Sequence, residues 1–84
     1  MAAEKEADTE ALVRFLVTSL VENPESAKIE VRHDGSMTIY EVSLAPEDVG
    51  KIIGRKGRII KAIRTVVRAA GGAGGDHVDV EVLG

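Results

Sequence analysis

The sequence predicts an α+β domain, a two-layer sandwich in the order α-β-β-α-α-β with three helices on one face of a three-stranded sheet. Three observations predict it. Apolar residues recur at helical spacing over 9–22, 46–53 and 58–70. They alternate at strand spacing over 29–33, 37–44 and 77–83. Turn residues separate these stretches: Asn23-Pro24, Asp34-Gly35, Gly54 and the GGAGGD tract at 71–76.

The elements follow in chain order. Residues 1–8 are small and charged and read as a flexible N-terminus, leaving 9–84 as the single folded domain. Thr9 suits the N-cap of the first helix, with Glu10 complementing the dipole in its first turn. Leu12, Phe15, Leu16, Ser19 and Leu20 share one stripe, widened by Val13 and Val17, which predicts a substantially buried helix with Phe15 in the core. Asn23-Pro24 stops it, because the residue before proline avoids helical angles. IEVRH then places Ile29, Val31 and His33 on one strand face, and Asp34-Gly35 signals a hairpin.

The partner strand carries Tyr40, Val42 and Leu44 on one face, so Tyr40 is either core or a stacking platform. Pro46 suits the first position of a short second helix, whose dipole Glu47 and Asp48 complement. Gly50 inside that helix costs about 1 kcal/mol relative to alanine. Close packing, or a backbone that touches a ligand, accounts for it. The third helix runs from about Arg58 to Ala70, with Ile59, Ile60, Ile63, Val66, Val67 and Ala70 on an apolar arc. GGAGGD reads as a loop tip, and HVDVEV as a last strand burying Val78, Val80 and Val82.

Composition narrows the function. One Phe, one Tyr and no Trp make the core aliphatic, and the absence of cysteine excludes disulfides and thiolate metal sites. No apolar run approaches the roughly 18 residues of a membrane span, and MAAEKEADTE lacks the order of a secretion signal. A cytoplasmic protein is expected. The net charge of −3 hides an asymmetry. Residues 50–70 hold seven bases (Lys51, Arg55, Lys56, Arg58, Lys61, Arg64, Arg68) and no acid, while the rest of the chain is acidic. Such an island suits a local anionic ligand.

The island is centred on GKIIGRKGRII at 50–60. Positive side chains at a helix start oppose its dipole by about 0.3–1 kcal/mol each, and become favourable once an anion binds there. Arg64 and Arg68, farther along, read as solvent-facing. The stretch has the chemistry of a phosphate clamp, yet neither a Walker A loop nor a GxGxxG fingerprint is present. Catalysis finds no support either: His33 sits at a hairpin corner, His77 opens a strand without a partner nearby, and the dipole explains Glu47 and Asp48. No enzyme activity, cofactor, metal or small-molecule substrate is expected.

IIG-RK-G-RII, a GxxG turn between two short helices, resembles the KH-domain signature IGxxGxxI, whose GxxG loop grips about four nucleotides of single-stranded backbone. The element order resembles the type II arrangement. NPE after the first helix and PEDVGKIIGRKGRIIKAIR resemble the small bacterial KhpA (YlqC-like) family. The resemblance implies a cytoplasmic RNA chaperone or post-transcriptional regulator that binds single-stranded RNA, self-associates, or pairs with a larger KH protein. It implies that Gly54, Arg55, Lys56 and Gly57 form the clamp, that Lys51, Arg58 and Lys61 add charge, and that Ile52, Ile53 and Ile60 support an apolar floor. The strand from Ile39 to Ser43 would form the opposite wall, beside a variable loop at 71–76. A dimerisation or scaffold subunit with incidental RNA contact is the alternative.

Overall fold

In the computed structural model, residues 2–73 and 77–84 are described, with side chains from 8 to 72 and from 77 onward. The elements are α1 (Ala2–Leu20), β1 (Lys28–Asp34), β2 (Met37–Ser43), α2 (Pro46–Ile53), α3 (Arg58–Ala73) and β3 (His77–Leu83). Single 3-10 turns occupy Pro24–Ser26 and Arg55–Gly57. The α-β-β-α-α-β order and the three-stranded sheet are those the sequence predicts. β1 pairs antiparallel with β2, and β2 pairs parallel with β3, giving the sheet order β1-β2-β3.

The hairpin closes on Gly35 and Ser36, with Asp34 opposite Met37. Only Gly35 takes a positive φ, 62°, the pattern of a type II′ turn whose twist matches the strands. Alternation then sorts β2. Thr38, Tyr40 and Val42 are buried beneath the helices, while Glu41 lies on the outer face with Arg32 and Glu81. Tyr40 has no exposed surface, which places it in the core and removes it as a stacking platform. The core is Val13, Val17, Tyr40, Val42, Ile52, Ile63, Val67, Val78 and Val80, aliphatic apart from the tyrosine. No helix among the described residues is long and apolar enough to cross a membrane.

Four local expectations change. First, α1 starts at Ala2, so Thr9 lies inside it rather than at its N-cap; the residues ahead of it are mostly alanine, glutamate and lysine, which are good helix formers. Second, α1 is rotated from the predicted orientation. Val13 and Val17 are fully buried with Leu12 and Leu16 beside them, whereas Phe15 is 67% exposed. Apolar residues cover so much of this helix that periodicity alone does not say which part of the arc meets the core. Third, α3 outruns its predicted end at Ala70 and continues to Ala73. Gly71 is buried in it because a Cβ there would lie 2.4 Å from Val78 Cγ2. The remainder of the predicted loop, 74–76, lies outside the described residues. Fourth, Val66 and Ala70, assigned to the core arc of α3, are exposed, leaving Ile63 and Val67 as its buried positions.

Candidate nucleic-acid interface

The GRKG turn is built by backbone geometry that few other residues permit. Pro46 opens α2 at its first position, as predicted. The helix ends at Gly54, whose N–H donates to Gly50 O at 2.8 Å. Gly54 then takes φ 74° and ψ 172°, a conformation almost confined to glycine. Space demands glycine as well, since a Cβ would lie 2.6 Å from Ile59 Cγ1. Lys56 is left-handed at φ 58° and ψ 24°, and Gly57 follows at φ 71°. The Gly57 N–H donates to Gly54 O at 3.1 Å, closing the turn, and α3 begins at Arg58. A left-handed lysine costs about 1–2 kcal/mol. The Lys56 side chain on this strained backbone is exposed.

Gly50 is a different case. Nothing lies within 4 Å of where its Cβ would be, and its φ is not positive. Packing, one explanation for this glycine, is therefore excluded among the described residues.

The basic island divides into unequal parts. Arg55, Lys56, Arg58 and Lys61 are exposed and make no ion pair among the described residues. Lys51 Nζ instead lies 3.4 Å from Glu22 Oε1 and 3.3 Å from Asp48 Oδ1. Arg64 and Arg68, read from sequence as solvated, both bind Asp79 of β3. Of the isoleucines, Ile53 and Ile60 are half-buried at the turn, whereas Ile52 is wholly in the core and supports any floor from beneath. The strand expected to form the opposite wall, Ile39 to Ser43, lies in β2. β2 is the central strand, so the edge strand beside α3 is β3.

Two carboxylates hold this arrangement, and neither is assigned that role from the sequence. Asp48, assigned there only to the helix dipole, has no exposed surface. Its oxygens accept the N–H of Glu22 at 3.1 Å, the N–H of Asn23 at 3.0 Å, Asn23 Nδ2 at 3.0 Å and Lys51 Nζ at 3.3 Å. Burial pushes its carboxyl up, but these donors outweigh it and hold the group below the usual carboxylate value. Asp48 thereby ties the segment after α1 to α2. Asp79 receives Arg64 Nε at 2.9 Å, Arg64 Nη2 at 3.0 Å and Arg68 Nη2 at 2.9 Å. The Arg64 bonds, against the opposing effect of burial, hold its carboxyl far below the carboxylate range, with Arg68 and the Val80 N–H contributing. The four-residue spacing of Arg64 and Arg68 was the available signal that one acid serves both.

The family model for the KhpA/KhpB KH domain matches residues 10–82. A relative from Oceanobacillus iheyensis, named RNA-binding protein KhpA, is 41% identical over 73 residues, covering 87% of this chain and 97% of its own. Relatives of the same name from Caldanaerobacter subterraneus and Streptomyces coelicolor are each 42% identical, over 86% of this chain and 96% and 94% of theirs. A crystal structure of Aquifex aeolicus Era superposes with a TM-score of 0.60 over 84% of this chain and 28% of that one, at 23% identity, a likeness of fold alone. The matched span takes in all three strands as far as Val82, the GRKG turn and both carboxylates, and the chain belongs to the KhpA/KhpB KH-domain family.

Proposed function

We propose that the chain binds single-stranded RNA, gripping the backbone at Gly54, Arg55, Lys56 and Gly57. The observation that carries this is a turn with three positive-φ residues that presents Arg55 and Lys56 exposed and unpaired among the described residues. Bare glycine backbone admits a phosphate closely, and cations misplaced at a helix start gain a partner once it arrives. Arg58 and Lys61 extend the positive surface into α3. Ile53 and Ile60 supply an apolar floor, with Ile52 beneath it and Lys51 holding Asp48. The shared name of the relatives, RNA-binding protein KhpA, supports the same reading. The protein acts in the cytoplasm as a non-catalytic RNA chaperone or post-transcriptional regulator.

A site of about four nucleotides offers three or four phosphates, so log K falls against log salt with a slope of about −2 to −3 for a single strand. Arg55→Asp with Lys56→Asp abolishes tight binding and flattens that slope by about 1.4. The fold survives, because both side chains are exposed and both glycines remain. Affinity for a short unstructured RNA, measured across salt, tests this. Wild-type affinity and slope in the double variant would place the clamp elsewhere.

Self-association is the companion proposal, and a separate observation favours it. Leu16 and Leu20 of α1 and Ile59, Ala62, Ile63 and Val66 of α3 line an apolar groove of about 280 Å³, with Arg58 at its rim. Leu20 and Val66 are 44% and 47% exposed, and Phe15 is exposed on α1. A second copy, or the larger KH partner that the family resemblance implies, would cover this face and leave the turn open.

A further inference from the structure

The basic stripe of α3 is not electrostatically uniform. Arg58, Lys61, Arg64 and Arg68 share one side of the helix, along about 15 Å at 1.5 Å per residue. The half nearest the GRKG turn is unpaired among the described residues. The far half is already occupied: Arg64 grips both Asp79 oxygens, and Arg68 shares Oδ2. The Val80 N–H donates to Oδ1 at 2.8 Å and fixes the carboxylate's orientation. The side chain of Asp79 is only 20% exposed, so the Arg64 bonds are partly shielded from solvent, whereas the Arg68 bond lies at the surface. Bidentate, charge-assisted pairs of this kind are among the stronger ones at a protein surface. A phosphate reaching Arg64 or Arg68 would have to displace a seated carboxylate and would meet its negative charge.

We propose that Asp79 sets where the RNA contact ends. By engaging Arg64 through both oxygens and Arg68 through one, it halves their net charge, occupies their donors and confines phosphate contacts to the GRKG turn and the first turn of α3. Without it, the cations from Arg55 to Arg68 would form one continuous track along which a longer polyanion gains affinity with length. With it, the footprint stays short, and β3, which borders α3, acts as a charge boundary. The inference rests on the clamp reading and assigns to Asp79 a positioning role in it.

The test measures affinity and salt slope for unstructured RNAs of about four and about ten nucleotides, the shorter matching one KH footprint. Asp79→Asn is expected to bind the longer RNA more tightly than wild type. Its slope should steepen by about 0.7–1.4, one or two added phosphate contacts, with the shorter RNA little changed. Glu25→Gln makes the same change in net charge at an exposed site remote in sequence from the stripe and should leave both measurements near wild type. Arg64→Gln with Arg68→Gln should leave the wild-type salt slope unchanged, and should cancel the gain when combined with Asp79→Asn.

A response to Asp79→Asn no greater than to Glu25→Gln overturns the inference. So does a flattened slope in the Arg64→Gln, Arg68→Gln protein, since those arginines would then already hold phosphate. That second comparison decides the matter even where Asp79→Asn fails to fold. If the Arg55→Asp, Lys56→Asp protein loses binding while Asp79→Asn changes nothing, the clamp stands and this inference alone fails. If that double variant binds as wild type, both fail.

Discussion

Replacing Gly71 with alanine sets two effects of opposite sign against each other, and the structure decides between them. Gly71 lies inside α3 with no positive φ, so by propensity alone alanine should stabilise the helix by about 1 kcal/mol. The added Cβ, however, would lie 2.4 Å from Val78 Cγ2, 3.0 Å from Cγ1 and 3.3 Å from Cβ. Val78 has little freedom to yield, being β-branched, buried and held in a strand paired to β2. Overpacking in such a site costs about 1–3 kcal/mol, and a contact this short belongs near the upper end. The net expectation is destabilisation of about 1–2 kcal/mol, a fall in Tm of about 4–16 °C for a domain this small. Gly72 is the internal control: it is exposed in the same helix with nothing within 4 Å of its Cβ position, so Gly72→Ala should stabilise by about 1 kcal/mol. Urea and thermal unfolding followed by circular dichroism measure both. If Gly71→Ala raises stability as Gly72→Ala does, α3 does not press on β3 as described.

Gly54→Ala combines a backbone conformation that resists side chains with contact against Ile59, about 2–6 kcal/mol in all, and should largely unfold the protein; Gly50→Ala, unhindered, should stabilise it by about 1 kcal/mol, and denaturant midpoints compare them. Acid should weaken the fold in a defined direction. Asp48 and Asp79 titrate below 3.8 when folded, so the unfolded chain binds protons first, and their stabilisation is complete above that value and lost as pH falls through the folded ones. Thermal midpoints between about pH 5 and pH 2 should therefore decline, and less steeply in Asp79→Asn; equal slopes would contradict the assigned role. Val66→Asp puts a charge in the α1–α3 groove and should yield monomers by analytical ultracentrifugation while sparing the GRKG turn; a wild type that is monomeric at high micromolar concentration with no KH partner would remove the self-association proposal.

Much of this molecule is legible in its sequence because period, turn chemistry and caps all point the same way. Asp34-Gly35 marks the hairpin, Pro46 the start of α2, and Gly54 and Gly57 the turn between α2 and α3. The site's local part is legible for the same reason, since a GxxG turn with outward cations is specified within a few residues. What escapes is tertiary. The rotation of α1 depends on which part of a wide apolar arc α3 and the sheet accept, and Phe15 ends outside. α3 continues through Gly71, which packs against Val78, a contact invisible until β3 is in place. Asp48 looks like a first-turn dipole partner until Glu22 and Asn23 arrive from the end of α1. Asp79 looks like an outward strand residue until the edge of the sheet brings it beside Arg64 and Arg68.

The parallel pairing of β2 with β3 also bears on the order in which the protein assembles. Met37 meets His77 and Ser43 meets Leu83, so the central strand finds one of its two neighbours only beyond both α2 and α3 in the chain. α1, the hairpin and the α2–α3 pair contain mainly local contacts and can form early, but until β3 docks, Tyr40 and Val42 have an open flank and α3 has no sheet edge to rest on. Distant pairings of this type impose a loop-closure cost before they contribute, and therefore come late. A nascent chain lacking β3 would display the GRKG turn with Arg64 and Arg68 unrestrained by Asp79. Completion of the sheet and electrostatic restriction of the basic helix are then a single event, so that only a fully folded molecule has the restricted cationic surface.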